Sequence, residues 1–191
     1  MPGAQWFPQA ELNFARNLLE HGDRDSPALI CRNEQGRETV LSFSELQALS
    51  ARFARALQDA GVGPGDRVAG LLPNIAEAVI AMLGTTAIGA VWSSCSPDFG
   101  YDSVLDRFGQ ISPKLLVTVD GYVYAGKRFS LSDATENLAS ALESVKHVVV
   151  VPYLDKKEPV GLSKKIVAWE HFLADDAICR YQPFPFAHPL Y

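Results

Sequence analysis

The sequence predicts an α/β fold, a parallel sheet flanked by helices with an antiparallel hairpin near the N-terminus. Three observations carry that expectation. Residues 67–72, 90–95, 115–119 and 147–151 are short, mainly apolar runs, the last of them β-branched, of the kind that lies buried in a parallel sheet. Segments of helical periodicity separate them, so strand, helix and strand recur in an order that implies parallel pairing with helices covering the sheet. Earlier in the chain, two β-prone runs flank Asn33-Glu34-Gln35-Gly36, a good hairpin turn.

Taken in order, residues 13–20 place apolar side chains at helical spacing (Leu12, Ala15, Leu18, Leu19), and His21-Gly22-Asp23 ends that helix. The aromatic residues of the first fourteen positions imply a segment docked onto the body. Residues 28–32 and 38–41 supply the hairpin strands. Ser42 and Glu45 form a capping box: the hydroxyl can accept from the third helical N–H, and the carboxylate can reach back to the N–H of the cap. The helix begun there carries Leu46, Leu49, Phe53, Ala54 and Leu57 on one face, and Gly61 stops it. Gly61-Val62-Gly63-Pro64-Gly65-Asp66 superficially invites comparison with a dinucleotide fingerprint. The order here is helix, glycines, strand, whereas pyrophosphate binding needs glycines before a helix, so the segment is read as a structural turn.

Pro73-Asn74 closes the strand, and residues 75–89 are apolar nearly all round, as in a buried helix. A strand at 90–95, an amphipathic helix at 101–110 (Val104, Leu105, Phe108) and a strand at 115–119 follow. Residues 121–130 read as an extended piece, then a helix at 132–143 buries Leu138 and Leu142 with Ser132 as its cap. Pro152 ends the next strand. Residues 155–165 form a polar, solvated loop, 168–173 one or two helical turns, and 183–191 a tail rich in proline and aromatics.

A chain of 191 residues suffices for a domain with a sizeable core, and 48% hydrophobic with 20% charged residues exclude a disordered or fibrous chain. A net charge of −5 without any long Lys/Arg run argues against nucleic acid or an anionic membrane as partner. The most apolar stretch, 78–92, is shorter than the roughly 20 residues of a membrane helix. Cys31, Cys95 and Cys179 are odd in number and far apart, which fits a reducing cytoplasm better than disulfides or zinc. Residues 1–14 carry no basic segment followed by an apolar run, so no secretory signal is expected there. The histidines His21, His147, His171 and His188 are scattered, neither a nucleophile elbow nor a phosphate-binding loop is present, and Asp175-Asp176 read as solvated, so no catalytic and no metal-binding residue is assigned. Trp92-Ser93-Ser94-Cys95-Ser96-Pro97-Asp98-Phe99-Gly100 stands apart: it lies at the carboxyl end of a predicted parallel strand, where open α/β sheets place ligands. Its small hydroxyl residues either leave space and donors for a ligand or only shape a turn.

The run 57–90, with Gly63-Pro64-Gly65-Asp66-Arg67-Val68 and Leu72-Pro73-Asn74-Ile75-Ala76-Glu77-Ala78, resembles the adenylate-forming acyl-CoA synthetases. Within that superfamily, Trp6-Phe7-Pro8, Leu12-Asn13-Phe14-Ala15-Arg16-Asn17-Leu18-Leu19, the Trp92 to Gly100 segment, Val104-Leu105-Asp106-Arg107-Phe108 and Asp120-Gly121-Tyr122 are similar to the acetoacetyl-CoA synthetases. The resemblance covers essentially the whole chain. It implies part of the N-terminal domain of the adenylate-forming fold, with residues 1–26 as a docking segment and 27–191 as an incomplete AMP-dependent synthetase domain. It also implies an acid–thiol ligase that uses ATP, magnesium and coenzyme A (CoA), takes acetoacetate as its small-molecule substrate, and works through an acyl-adenylate. The family's phosphate loop should follow a strand just beyond a Pro-Phe-x-His-Pro-Leu-like segment; here Pro185-Phe186-Ala187-His188-Pro189-Leu190-Tyr191 are the last residues, so the chain is expected to be an N-terminal piece without its own catalytic groups. By the same resemblance, Asp98, Phe99 and Gly100 fall along the pantetheine path of CoA. Tyr124 and Lys127 fall where basic groups meet its nucleotide end, Lys127 alone keeping the charge. Another short-chain acyl-CoA synthetase and a non-catalytic binding module remain the alternatives.

Overall fold

The structure, a computed structural model, describes residues 3–154, 166–178 and 180–191; the predicted loop at 155–165 and Cys179 lie outside the described residues. A two-residue strand, β1 (Glu11–Leu12), leads into α1 (Phe14–Leu19). Helix α1 buries Ala15 and Leu19 and leaves Leu18 exposed, so its apolar face is narrower than the periodicity predicts. Of the N-terminal aromatics, Phe14 packs on the core and edge-on to Tyr191, whereas Trp6 and Phe7 stay largely exposed. Asn13 caps α1 through Oδ1, which accepts the Arg16 N–H, and its buried amide donates to Ala87 O at 2.9 Å and Gln182 O at 3.0 Å.

Strands β2 (Pro27–Arg32) and β3 (Glu38–Ser42) make the predicted antiparallel hairpin. Asn33 Oδ1 shapes its turn by accepting from the N–H groups of Gln35 and Arg37. Ser42 and Glu45 make both bonds of the capping box that starts α2 (Phe43–Asp59), which buries Leu46, Phe53, Ala54 and Leu57. Next come β4 (Arg67–Leu71), α3 (Ala76–Ala87), β5 (Val91–Cys95), α4 (Tyr101–Ile111) and β6 (Leu115–Val119). Helices α2 and α3 approach closely because position 84 is glycine: a Cβ there would lie 2.9 Å from Ser50 O. Beyond β6 are β7 (Gly121–Tyr124), β8 (Lys127–Ser130), α5 (Ser132–Ala141), β9 (His147–Val151), β10 (Ile166–Ala168), α6 (Trp169–Phe172) and β11 (Phe184–Pro185).

Five strands form one parallel sheet in the order β10-β9-β6-β4-β5. Every residue of β6 is buried, as expected of a central strand covered on both faces. The chain leaves β4 through α3 toward β5 on one side and leaves β6 toward β9 on the other. The carboxyl ends of β4 and β6 therefore form a topological switch point, the usual ligand crevice of an open α/β sheet.

The structure departs from the sequence reading in three places. Residues 121–130 are a full antiparallel hairpin, β7–β8, rather than one extended piece; Ala125 and Gly126 both take positive φ (49° and 74°), and alanine is a weak turn signal. Ser132 is the first helical residue of α5 and not its cap: Leu131 occupies the cap, and it is the Ser130 hydroxyl that accepts the Ser132 N–H, at 3.3 Å. Finally, β1 pairs antiparallel with β11, bringing the start of the chain beside its tail.

At the amino edge of the sheet, the glycine run is a turn, as its order predicts. Asp66 Oδ2 accepts the Gly63 N–H at 2.9 Å and the Lys114 ammonium at 2.6 Å. The Arg67 guanidinium donates to Ile111 O at 2.6 Å and Ser112 O at 3.0 Å, closing the end of α4, whose last carbonyls lack helical partners. Burial alone would raise the Asp66 carboxyl. Hydrogen bonds from Lys114 and Gly63 outweigh it and hold the group below the ordinary aspartate range.

Candidate functional site

The carboxyl edge of the sheet carries two depressions that meet at Asn74, in the connection from β4 to α3. One, about 300 Å³, is lined by Leu72, Asn74, Trp92, Ser94, Cys95 and Ser96. Three of these side chains, Asn74, Ser94 and Ser96, are exposed polar groups, which gives the crevice hydrogen-bonding capacity without charge. The other, about 100 Å³, lies under the β2–β3 hairpin, with Cys31, Asn33, Arg37, Asn74, Glu77 and Tyr153 in its lining. Burial pushes the Glu77 carboxyl up, and burial followed by the charge of Glu77 raises the Cys31 thiol. Cys95 is buried at the end of β5 and its thiol is likewise raised by burial, which keeps it protonated at neutral pH and a poor nucleophile.

Asp98, Phe99 and Gly100 form the turn from β5 into α4. The Phe99 N–H donates to Ser96 O at 3.2 Å, and Gly100 is the N-cap of α4, its carbonyl accepting the Val104 N–H at 3.1 Å. Nothing lies within 4 Å of the place a Cβ would take at Gly100, so the backbone there is open to an approaching chain. Phe99 is 42% exposed and its ring faces the Arg107 guanidinium at 5.2 Å, a cation–π contact that fixes the ring at the rim.

Tyr124 and Lys127 are cross-strand partners at the tip of β7–β8, Tyr124 being 66% exposed. The hairpin base is fixed by Asp120 and Gly121. Asp120 Oδ1 accepts the N–H groups of Tyr153 and Leu154, each at 2.8 Å, and a Cβ at Gly121 would fall 2.3 Å from Phe129 O. The Asp120-Gly121-Tyr122 triplet is thus a clip joining the ends of β6 and β9 to the hairpin. At the tip, the N–H groups of Ala125 and Gly126 each donate to a different carboxylate oxygen of Glu34, both at 3.1 Å.

The structure therefore joins the five residues singled out in the sequence into two groups. Asp98, Phe99 and Gly100 follow β5, Tyr124 and Lys127 follow β6, and β4 stands between those strands in the sheet. Both groups sit at the carboxyl edge, and among the described residues no hydrogen bond, ion pair or ring contact links them. Asn13, Glu34 and Asp120 were given no role of their own from the sequence, although Asn13 and Asp120 lie in family motifs and Glu34 in the predicted hairpin turn.

Similarity to known proteins decides the family. A family model described as "AMP-binding enzyme" matches residues 14–180, most of the chain and nearly all of the sheet and its helices. The chain belongs to the AMP-binding enzyme family. Curated acetoacetyl-CoA synthetases are similar to this chain throughout: that of Macaca fascicularis is 43% identical over 98% of it, and that of Rhizobium meliloti 43% over 100%. The chain spans 29% of the length of each. A solved structure titled acetoacetyl-CoA synthetase from Streptomyces lividans superposes with a TM-score of 0.92 at 44% identity, covering 100% of this chain and 29% of that one. An acyl-CoA synthetase from Brucella canis shares the fold, with a TM-score of 0.75 at 24% identity over 95% of this chain. The fold is that of the N-terminal domain of adenylate-forming enzymes, as the sequence resemblance implies.

Two fits can be judged on the residues present. The donors at the carboxyl edge suit parts of CoA: neutral hydroxyl and amide groups beside the β5 crevice for an amide-bearing chain, and a cation with an exposed aromatic ring at Lys127 and Tyr124 for a phosphorylated nucleoside. They do not suit a nucleoside triphosphate with its magnesium ion. Among the described residues no glycine and hydroxyl loop enters a helix, and no group of three or more His, Cys, Asp or Glu side chains could hold a metal. Among the described residues, no helix is long and apolar enough to cross a membrane.

Proposed function

We propose that this chain is the N-terminal part of an ATP-dependent acid–thiol ligase that forms acetoacetyl-CoA from acetoacetate and CoA through an acyl-adenylate. The observation that carries the reading is the 0.92 TM-score and 44% identity to the Streptomyces lividans acetoacetyl-CoA synthetase over the whole chain. In such a ligase, the acid's carboxylate would attack the α-phosphorus of ATP and release pyrophosphate, and the CoA thiol would then take the acyl group from the adenylate with release of AMP. The contribution of these residues is binding and orientation. Asp98, Phe99 and Gly100 line the path of the pantetheine arm, and Lys127 with Tyr124 receives the 3′-phosphate and base at the far end.

Supporting that division of labour, an unobstructed backbone at Gly100 admits an extended chain, and Lys127 places a cation on an exposed hairpin tip. The groups that carry out adenylation are assigned to the part of the ligase outside these 191 residues. The test is to set the chain in place of the matched segment of the Streptomyces lividans enzyme. The chimera should convert acetoacetate, ATP and CoA to acetoacetyl-CoA, while the 191 residues alone should not. In the chimera, Lys127→Ala should raise the KM for CoA by about 3- to 10-fold with kcat unchanged, the mark of lost ground-state binding. Preference for a different short-chain acid would redirect the substrate assignment, and unchanged KM for CoA would remove Lys127 from the site.

A further inference from the structure

We infer that Glu34 is a positioning residue for the CoA-facing hairpin, its carboxylate setting where Tyr124 and Lys127 stand from 91 and 92 residues away in sequence. The inference rests on the CoA reading above and adds to it a residue on a separate element.

The hairpin needs an external hold at its tip. All four residues of β8 are exposed, and an isolated two-stranded hairpin is marginal in water. Along its strands β7–β8 is held by the stacking of Tyr122 on Phe129 at 5.1 Å and by the bond from Arg128 Nη2 to Leu154 O at 3.2 Å. Neither contact reaches the turn. There Ala125 sits at φ 49°, a left-handed conformation unfavourable for a residue with a Cβ. The turn directs two adjacent N–H groups outward, and Glu34 meets them with one oxygen each, a charge-assisted bidentate match. Glu34 is itself anchored: its neighbour Asn33 donates from Nδ2 to the Tyr153 hydroxyl at 3.3 Å, tying the β2–β3 tip to the end of β9. The route from sheet to Lys127 thus runs through β9, Asn33, Glu34 and the Ala125–Gly126 turn.

Glu34 also carries a negative charge near the place proposed for a phosphate, so simple electrostatics and positioning predict opposite results. Removing the charge alone would tighten an anion. Removing the tie would let the tip, and Lys127 with it, wander. Glu34→Gln deletes the charge and keeps a carbonyl able to accept one N–H; Glu34→Ala deletes both bonds.

The experiment is an NMR titration of the 191-residue chain and the two variants with CoA and with 3′-dephospho-CoA, alongside amide hydrogen exchange. Exchange at Ala125 and Gly126 should speed up by about tenfold in Glu34→Ala and less in Glu34→Gln, with β6 amides unchanged as the control for folding. The preference for CoA over its dephospho form should fall about threefold or more in Glu34→Ala and hold within about twofold in Glu34→Gln. Equal tightening of CoA in both variants would overturn the inference, reducing Glu34 to a neighbouring charge, as would unchanged exchange at the turn. If the unmodified chain fails to distinguish CoA from dephospho-CoA, the CoA reading falls instead, and the exchange rates still decide whether Glu34 holds the tip.

Discussion

Asn13 is 4% exposed and spends its whole side chain on three partners: the Arg16 N–H, Ala87 O and Gln182 O. Removing the amide leaves two carbonyls short of a donor, one of them in a buried bond, so Asn13→Ala should cost about 1–3 kcal/mol in urea unfolding. Asn13→Asp should cost at least as much, because a carboxylate would face those carbonyls with nothing to donate. Asp66 offers a test in pH. Its folded carboxyl is held below the ordinary value, so the stability it adds is fully present above about pH 4 and is lost as pH falls through the lower folded value. Asp66→Asn should flatten that acid limb of the stability profile while leaving the neutral-pH slope unchanged, as followed by thermal melts. The contrast between these residues shows what a sequence reveals. The Ser42–Glu45 capping box was legible because its partners are three residues apart, whereas the carbonyls met by the Asn13 amide are 74 and 169 residues away and the partners of Glu34 are 91 and 92 away. Local chemistry can be read along the chain; contacts made by folding cannot.

Among the elements, strands β4, β6 and β9 were legible because burial on both faces forces a nearly uninterrupted apolar run, β5 because it follows a buried helix in the same repeating order, and α2 because one face had to be apolar. Strands β1, β10 and β11 are two or three residues long and exist by virtue of their partners, so no periodicity announces them. The β7–β8 hairpin falls between these cases: its strands are extended by composition, while its turn depends on an alanine in a left-handed conformation. The weak point of that element is its base. Gly121→Ala would drive a methyl to within 2.3 Å of a backbone oxygen that cannot easily yield, as well as onto Leu154. Loss of amide protection across residues 121–130, with the parallel sheet intact and stability lowered by about 1–3 kcal/mol, is the expected result by hydrogen exchange and denaturant titration. For the candidate site, the turn at Asp98 to Gly100 was legible as the carboxyl end of a parallel strand. Tyr124 and Lys127 came only through family resemblance, since exposed residues on an irregular segment leave no periodic trace.

On the scale of the whole molecule, the ligand-facing groups gather on one rim because all five strands of the sheet run in the same direction, and the two clips at Asp66–Arg67 and Asp120–Gly121 hold its opposite edges. The parallel order followed from composition and periodicity, but the position of β5 at one side of the sheet did not, since strand order depends on which helix crosses which face. The pairing of β1 with β11 has a consequence for time rather than geometry. Closing a loop of some 170 residues carries a large entropic cost before any bond rewards it, while the β4–α3–β5 unit closes over a few tens of residues. The sheet should therefore form first, and the first and last strands should meet last. In pulse-labelled refolding, the amides of residues 11–19 and 184–188 should acquire protection after those of β4 and β6, making the seam between the two ends of the chain the slow step of its assembly.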